Sequence, residues 1–286
     1  MVSIIVCSIN PELAESFREN VLATIGVECE FIIFDNRGTG LGICEVYNRC
    51  AEQAKYDYLL FAHEDILFGT QNWGAIIIEK LSDPTTGAIG FAGCTVKSKR
   101  YSGWCQMHCF VKENLVQHLN DGSAVHVDTI EKGVDFAPVV TIDGLAIFAR
   151  RDVWREFRFD DELLKGFHCY DIDFSLSIAT KYKNYICNCM IVEHLSQGSY
   201  NAQWHTETMR IHDEKWNDRL PMHVGDIPSS MIRKNERRMD YNFVKSYVKG
   251  RNGDEASRRK MLWSYAMRNF FVNGAIKMLF EDRFKY

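Results

Sequence analysis

The chain has 286 residues, 46% hydrophobic and 25% charged, an ordinary globular composition whose length suits one large domain or one domain with an appended helical part. A chain this long buries roughly 75% of its unfolded surface, so folding requires neither disulfides nor a structural metal. Five Pro and 19 Gly exclude collagenous and low-complexity classes, and 34 Lys/Arg against 38 Asp/Glu leave a net charge of −4, with no global signal for nucleic acid.

The first ninety residues alternate between strand and helix. Val2 to Cys7 is a short apolar run closed by Asn10-Pro11, and PELAESFRENVLAT reads as a helix. Glu30 to Phe34 is a second strand, stopped by Asp35-Asn36-Arg37-Gly38. Gly38, Gly40 and Gly42 then form a loop before the helix GICEVYNRCAEQAK. Tyr58 to Phe61 is a third strand, cut off by His63-Glu64-Asp65. A helix over Trp73 to Leu81 and a strand over Gly87 to Cys94 follow. Near-continuous apolar strands separated by helices imply a mostly parallel sheet covered on both faces, with one mixed edge.

From Lys97 to Pro138 the pattern loses a clean period, and long loops with an inserted hairpin are expected. VVTIDGLAIFARRDVW restores strand, turn and second apolar run. DIDFSLSIATKY reads as an amphipathic helix and NYICNCMIVEH as a strand. Beyond Leu195 the chain looks helical. Met231 to Tyr286 holds 14 Lys/Arg and 6 Asp/Glu, a net of +8 against −12 for the first 230 residues. Two units are expected: a domain over 1–200 and a helical extension over 201–286. Ser257 to Phe284 is expected to place Trp263, Phe270, Phe271, Ile276, Leu279 and Phe280 on amphipathic helices. These would cover the domain, a second copy of the chain, or an acidic membrane surface.

The ten Cys include no CxxC and mostly sit among apolar neighbours, as small buried hydrophobes do. The opening MVSIIVCSINP lacks a basic start, and no window approaches 18 uninterrupted apolar residues. A cytoplasmic location is the expectation, with peripheral contact to the inner face of a membrane as the variant that the basic tail suggests.

Polar residues gather at strand ends, where open α/β sheets bind ligands. Asp35 and Asn36 follow the second strand, His63-Glu64-Asp65 the third, Asp143-Gly144 lies between two apolar runs, and Glu193-His194 ends the last strand. GTGLG has the wrong place and spacing for a dinucleotide fingerprint, and no GK[ST] follows it. His63, Asp65 and His194 offer donors suited to Mn²⁺ or Mg²⁺ when phosphate oxygens complete the shell. Asp171 and Asp173 stand at an expected helix start, where capping and a general-base role are both open.

In order and spacing these segments resemble the family 2 nucleotide-sugar glycosyltransferases of the GT-A fold, particularly the divergent bacterial members called glycosyltransferase-like. The resemblance runs from about Val2 to His194, through GLGICEVYNRCAEQAKYDYLLFAHEDILF, IDGLAIFARRDVW, FHCYDIDFSL and VEHLSQGS. It implies that Asn10, Asp35 and Asn48 bind the nucleotide, and that Asp65, His194 and His63 hold Mn²⁺ or Mg²⁺. His63 stands where the family's motif has its first Asp. Asp143, Gly144, Tyr170 and Trp204 would face the sugar and acceptor. Asp171, second in the family's Glu-Asp pair, would be the base.

The implied activity is inverting, metal-assisted transfer of a sugar from a nucleoside diphosphate (UDP or dTDP) to a glycan or other hydroxyl acceptor. The alternative is a GT-A-like protein that binds a nucleotide sugar or glycan without turnover. His63 and Tyr170 in acidic positions favour keeping that alternative. Nucleic acid is not an expected partner, since the positive charge is confined to the tail.

Overall fold

The structure, a computed structural model, describes residues 1–196, 198 and 201–269. Its strands are β1 (Val2–Ser8), β2 (Cys29–Asp35), β3 (Tyr58–Ala62), β4 (Ile66–Phe68), β5 (Thr86–Gly90), β6 (Ala92–Cys94), β7 (Val96–Lys97), β8 (Val111–His118), β9 (Ala124–Asp128), β10 (Phe136–Val139), β11 (Thr141–Ile142), β12 (Ala146–Arg150), β13 (Lys183–Cys187), β14 (Val192–His194) and β15 (Met222–His223). The helices are α1 (Pro11–Thr24), α2 (Ile43–Gln53), α3 (Trp73–Ser82), α4 (Arg151–Phe157), α5 (Tyr170–Ala179), α6 (Ala202–Ile211), α7 (Ser229–Lys249) and α8 (Glu255–Arg268). None of them is long and apolar enough to cross a membrane.

The main sheet has the order β10-β13-β5-β12-β3-β1-β2. β1 pairs in parallel with β2 and β3, which places the first three expected strands in one sheet. Val2, Ile4, Ile5 and Val6 are fully buried because β1 has a strand on each side and apolar clusters on both faces. Asn10 ends the strand and caps α1, its side chain accepting from the amides of Glu12 and Leu13.

The antiparallel pairing is central rather than at an edge. β12 lies between β3 and β5 and runs against both. A second sheet, β11-β6-β8-β14-β4 with β9 on β8, shares an apolar cluster with the first through Ile66, Phe68, Ala92, Leu115 and Val192. Its β8–β9 hairpin is the insertion expected in the irregular middle of the chain.

α5 is buried nearly all round, not amphipathic, because later parts of the chain cover its polar side. The Asp173 carboxylate accepts from Trp216 Nε1 at 2.8 Å and from Lys215 Nζ at 2.8 Å. Ile211, Trp216 and Leu220 belong to the main core, so the chain from Ala202 to Leu220 completes the domain rather than beginning an extension. Lys215→Met leaves Asp173 buried with only the indole donor. The expected cost is about 2–3 kcal/mol in a denaturant melt, and an unchanged midpoint would show the pair to be energetically idle.

α7 and α8 pack on each other through Phe243, Val244, Tyr247, Val248, Leu262 and Tyr265, with Tyr101 and Trp204 against them. Trp263, expected to be covered, is 59% exposed. Phe270, Phe271, Ile276, Leu279 and Phe280 lie outside the described residues.

Candidate active site

A cavity of about 640 Å³ opens at the carboxyl ends of β1 and β3, between the two sheets. Because β12 is antiparallel, its amino end lies at the same rim, with Ala146 opposite Ala62. The rim therefore brings together Ile9 and Asn10 after β1, His63-Glu64-Asp65 after β3, and Asp143-Gly144-Leu145 before β12. β8 supplies Glu113, Leu115 and Gln117, α5 supplies Tyr170 and Asp171, and His194 and Trp204 complete the wall.

The triplet after β3 divides its work. Glu64 turns back to the first strand, where it accepts from the Ser8 hydroxyl and from the amides of Ile9 (3.1 Å) and Asn10 (2.9 Å). This ties the β1–α1 turn to the third strand end. His63 and Asp65 face the cavity with His194, which β14 brings opposite Ile66. The three can each offer one ligand atom, all within 4.8 Å of one another. His63 Nδ1 is 3.9 Å from Asp65 Oδ1 and His194 Nε2 is 3.8 Å from Asp65 Oδ2, too far for direct hydrogen bonds. Asp65 Oδ1 is buried with no hydrogen-bond partner among the described residues. A buried carboxylate oxygen without a donor, flanked by two imidazoles, is the environment that a divalent cation satisfies. Burial holds the His63 imidazole below its ordinary pKa, which keeps it neutral as a ligand must be.

Asp171 sits at the amino end of α5, where Cys169, not a carboxylate, occupies the cap position. Its Oδ2 accepts from the Gly144 amide at 3.1 Å. Burial first, and the neighbouring Asp143 second, push its pKa up to about 7. The Gly144 carbonyl accepts from the Tyr170 hydroxyl at 3.0 Å, and that hydroxyl lies 2.7 Å from His63 Nε2. A continuous run of hydrogen bonds thus joins Asp171 to the His-Asp-His cluster. A Cβ at Gly144 would collide with the Tyr170 hydroxyl, which explains the glycine.

Two expected nucleotide residues are placed elsewhere. Asn48 is buried away from the cavity: its amide donates to Phe159 O and Asp161 Oδ2, and its oxygen accepts from Trp154 Nε1 and the Phe159 amide. With every valence spent, it stitches α2 to the segment after α4. Asp35 is exposed and held by Arg37, whose side-chain hydrogen bonds lower its pKa to about 2; the next residue, Asn36, lines the cavity instead. Asn10 reaches the rim, but its oxygen is occupied in capping α1.

Other wall residues escape the sequence reading. Glu113 faces the cavity, and burial raises its carboxyl pKa, with Asp143 adding to the effect. Gln117 contacts His194. The signal for both was the alternation of Glu113, Leu115 and Gln117 along β8, a period of two in a stretch otherwise read as loop. Behind the wall, the fully buried Lys97 donates to Ser102 O, Ser102 Oγ and His212 Nε2, which fixes the loop carrying Gly103 and Trp104.

The mixed α/β sheet flanked by helices, with a crevice at its strand ends, has the GT-A fold. The profile of the glycosyltransferase-like family matches residues 3–218, and the chain belongs to that family. No curated protein sequence matches it. Among solved structures, it is similar to GalNAc-T7 with UDP, GalNAc and Mn²⁺, with a TM-score of 0.51 and 13% identity over 82% of this chain and 54% of that one. The chain therefore spans about half the length of that structure. The mannosyltransferase PcManGT from Pyrobaculum calidifontis, in complex with GDP-Man and Mn²⁺, has a TM-score of 0.49 and 11% identity, over 99% of this chain and 84% of that one.

Proposed function

We propose that the protein transfers a sugar, with inversion, from a nucleoside-diphosphate sugar to an acceptor hydroxyl. The observation that carries this reading is the shared wall of one cavity: the His63, Asp65 and His194 cluster, and Asp171 joined to it through Gly144 and Tyr170. His63, Asp65 and His194 would hold the cation. Such an ion, when bound, neutralises charge on the departing diphosphate. Asp171 takes the acceptor proton. The acceptor oxygen bonds to the anomeric carbon from one face as the bond to the phosphate oxygen breaks on the other, so one base suffices and configuration inverts. A carboxyl with its pKa near 7 suits that task, since it is substantially ionised yet still basic at neutral pH. Asp143 and Glu113, acceptor-only groups when ionised, are placed to take hydrogen bonds from sugar hydroxyls.

Two imidazoles and one carboxylate make a nitrogen-rich site, which favours Mn²⁺ over Mg²⁺. A thermal-shift panel of nucleoside diphosphates, each with Mn²⁺, Mg²⁺ or chelator, tests donor and metal together. One nucleotide at 100 times its Kd should add about 2.7 kcal/mol of stability. For a domain of this size that is a Tm rise of roughly 5–8 °C. The rise should be larger with Mn²⁺ than with Mg²⁺ and smallest with chelator. No shift with any nucleotide would refute the donor class, and shifts indifferent to chelator would refute the metal.

A further inference from the structure

The imidazoles of His63 and His194 each have a second hydrogen-bond partner, and those partners settle which ring nitrogen carries the proton. Gln117 Nε2 lies 2.9 Å from His118 O, 2.7 Å from Ser196 O and 3.3 Å from His194 O. All three are carbonyls, which only accept, so the amide is oriented with its NH₂ toward them. Its oxygen, 3.1 Å from His194 Nδ1, is then an acceptor facing a ring nitrogen that must donate. His194 therefore carries its proton on Nδ1, and its lone pair is on Nε2, the atom facing Asp65 Oδ2.

The same elimination applies across the site. The Tyr170 hydroxyl has one proton, and the Gly144 carbonyl takes it at 3.0 Å. Toward His63 Nε2, at 2.7 Å, the phenol oxygen can only accept. His63 therefore carries its proton on Nε2, and its lone pair is on Nδ1, the atom facing Asp65 Oδ1. The two rings adopt opposite tautomers, and both lone pairs converge on one carboxylate. Gln117 lies on β8, next to the strand that carries His194, and Tyr170 opens α5. Neither side chain is needed as a ligand.

We propose that Gln117 and Tyr170 are positioning residues that lock His194 in its Nδ1–H form and His63 in its Nε2–H form, turning both free lone pairs toward Asp65. The consequence for cation binding rests on the metal reading above; the tautomers do not. A partner of this kind typically contributes 10–100-fold in metal affinity, because an unlocked ring must be reoriented and re-protonated before it ligates.

The test is long-range ¹H–¹⁵N spectroscopy of the imidazoles in metal-free protein, paired with Mn²⁺ titration by calorimetry. Wild type should show His194 protonated on Nδ1, the minor form of free neutral histidine, and His63 protonated on Nε2. Gln117→Leu should let His194 populate its Nε2–H form and weaken Mn²⁺ binding about 10–100-fold. Tyr170→Phe keeps the ring and should release His63 alone. Wild-type rings in the reverse tautomers would overturn the proposal, as would Gln117→Leu and Tyr170→Phe proteins that keep both tautomers and full Mn²⁺ affinity. The stated tautomers in a wild type that binds no Mn²⁺ would support the lock and remove the metal reading.

Discussion

Asp171→Asn should lower transfer to an acceptor by roughly 10²–10⁴-fold, about 3–5 kcal/mol of transition-state stabilisation, while donor affinity stays within a few-fold. The amide oxygen of Asn can still accept from the Gly144 amide, so the turn before β12 keeps its anchor. What disappears is the proton acceptor. With wild type, transfer should rise with pH through about 7 and then level, because only the ionised carboxylate takes the acceptor proton. The variant's residual rate should lack that limb. Stability moves the other way. The folded state holds a proton on Asp171 between the ordinary carboxylate value, about 3.9, and about 7, where the unfolded chain has lost it. This group therefore favours folding at low pH, and its contribution falls as pH rises through that window. Removing the ionisation should make Asp171→Asn more stable than wild type at pH 8, by roughly 1–2 kcal/mol. An active, unstabilised Asp171→Asn protein would remove the residue from the mechanism. Donor hydrolysis, with water as a poor acceptor, serves as the assay until the acceptor is found.

Asp65→Asn should abolish cation-dependent nucleotide binding. Both carboxylate oxygens face an imidazole across a gap of 3.8–3.9 Å, so this side chain is central to any ion that the cluster holds. Calorimetry should show Mn²⁺ affinity reduced by more than about 100-fold, beyond the loss expected from removing an outer partner. Metal-free stability should stay level or rise, because a buried carboxylate with one oxygen lacking a hydrogen bond is replaced by a neutral amide. A structural Asp65 predicts the reverse: lower stability and unchanged Mn²⁺ affinity. Measuring both quantities on one preparation separates the two.

Much of the site was legible because its residues stand at ends of apolar runs. A strand buried on both faces admits few polar side chains, and only with a hydrogen-bond partner as Ser3 has in Glu30, so the first polar residues after Phe61 and beside Ile142 mark the rim of the sheet. His63, Asp65, Asp143 and His194 were found that way and Asp171 by its place at a helix start, and all five line the cavity. Strand ends and the family resemblance both mislead where a polar residue is consumed by another partner. Asn48 looks like a site residue until Phe159 and Trp154, more than a hundred positions away, take its hydrogen bonds. Asp35 fails for a nearer reason, since Arg37, two residues on, holds its carboxylate.

The sequence by itself determined the α/β class, the succession of strands and helices through β3, and most of the rim residues. Each of these follows from the local spacing of apolar and polar side chains, which records how a segment is buried. Tertiary structure alone decided the central antiparallel place of β12, the capture of Asp173 by Lys215 and Trp216, and the pairing of Gln117 with His194 and of Tyr170 with His63. Those are contacts across 42 to 107 residues. Spacing cannot encode them, because a hydrogen bond depends on where two side chains meet in space, and the sheets, not the chain, set that meeting.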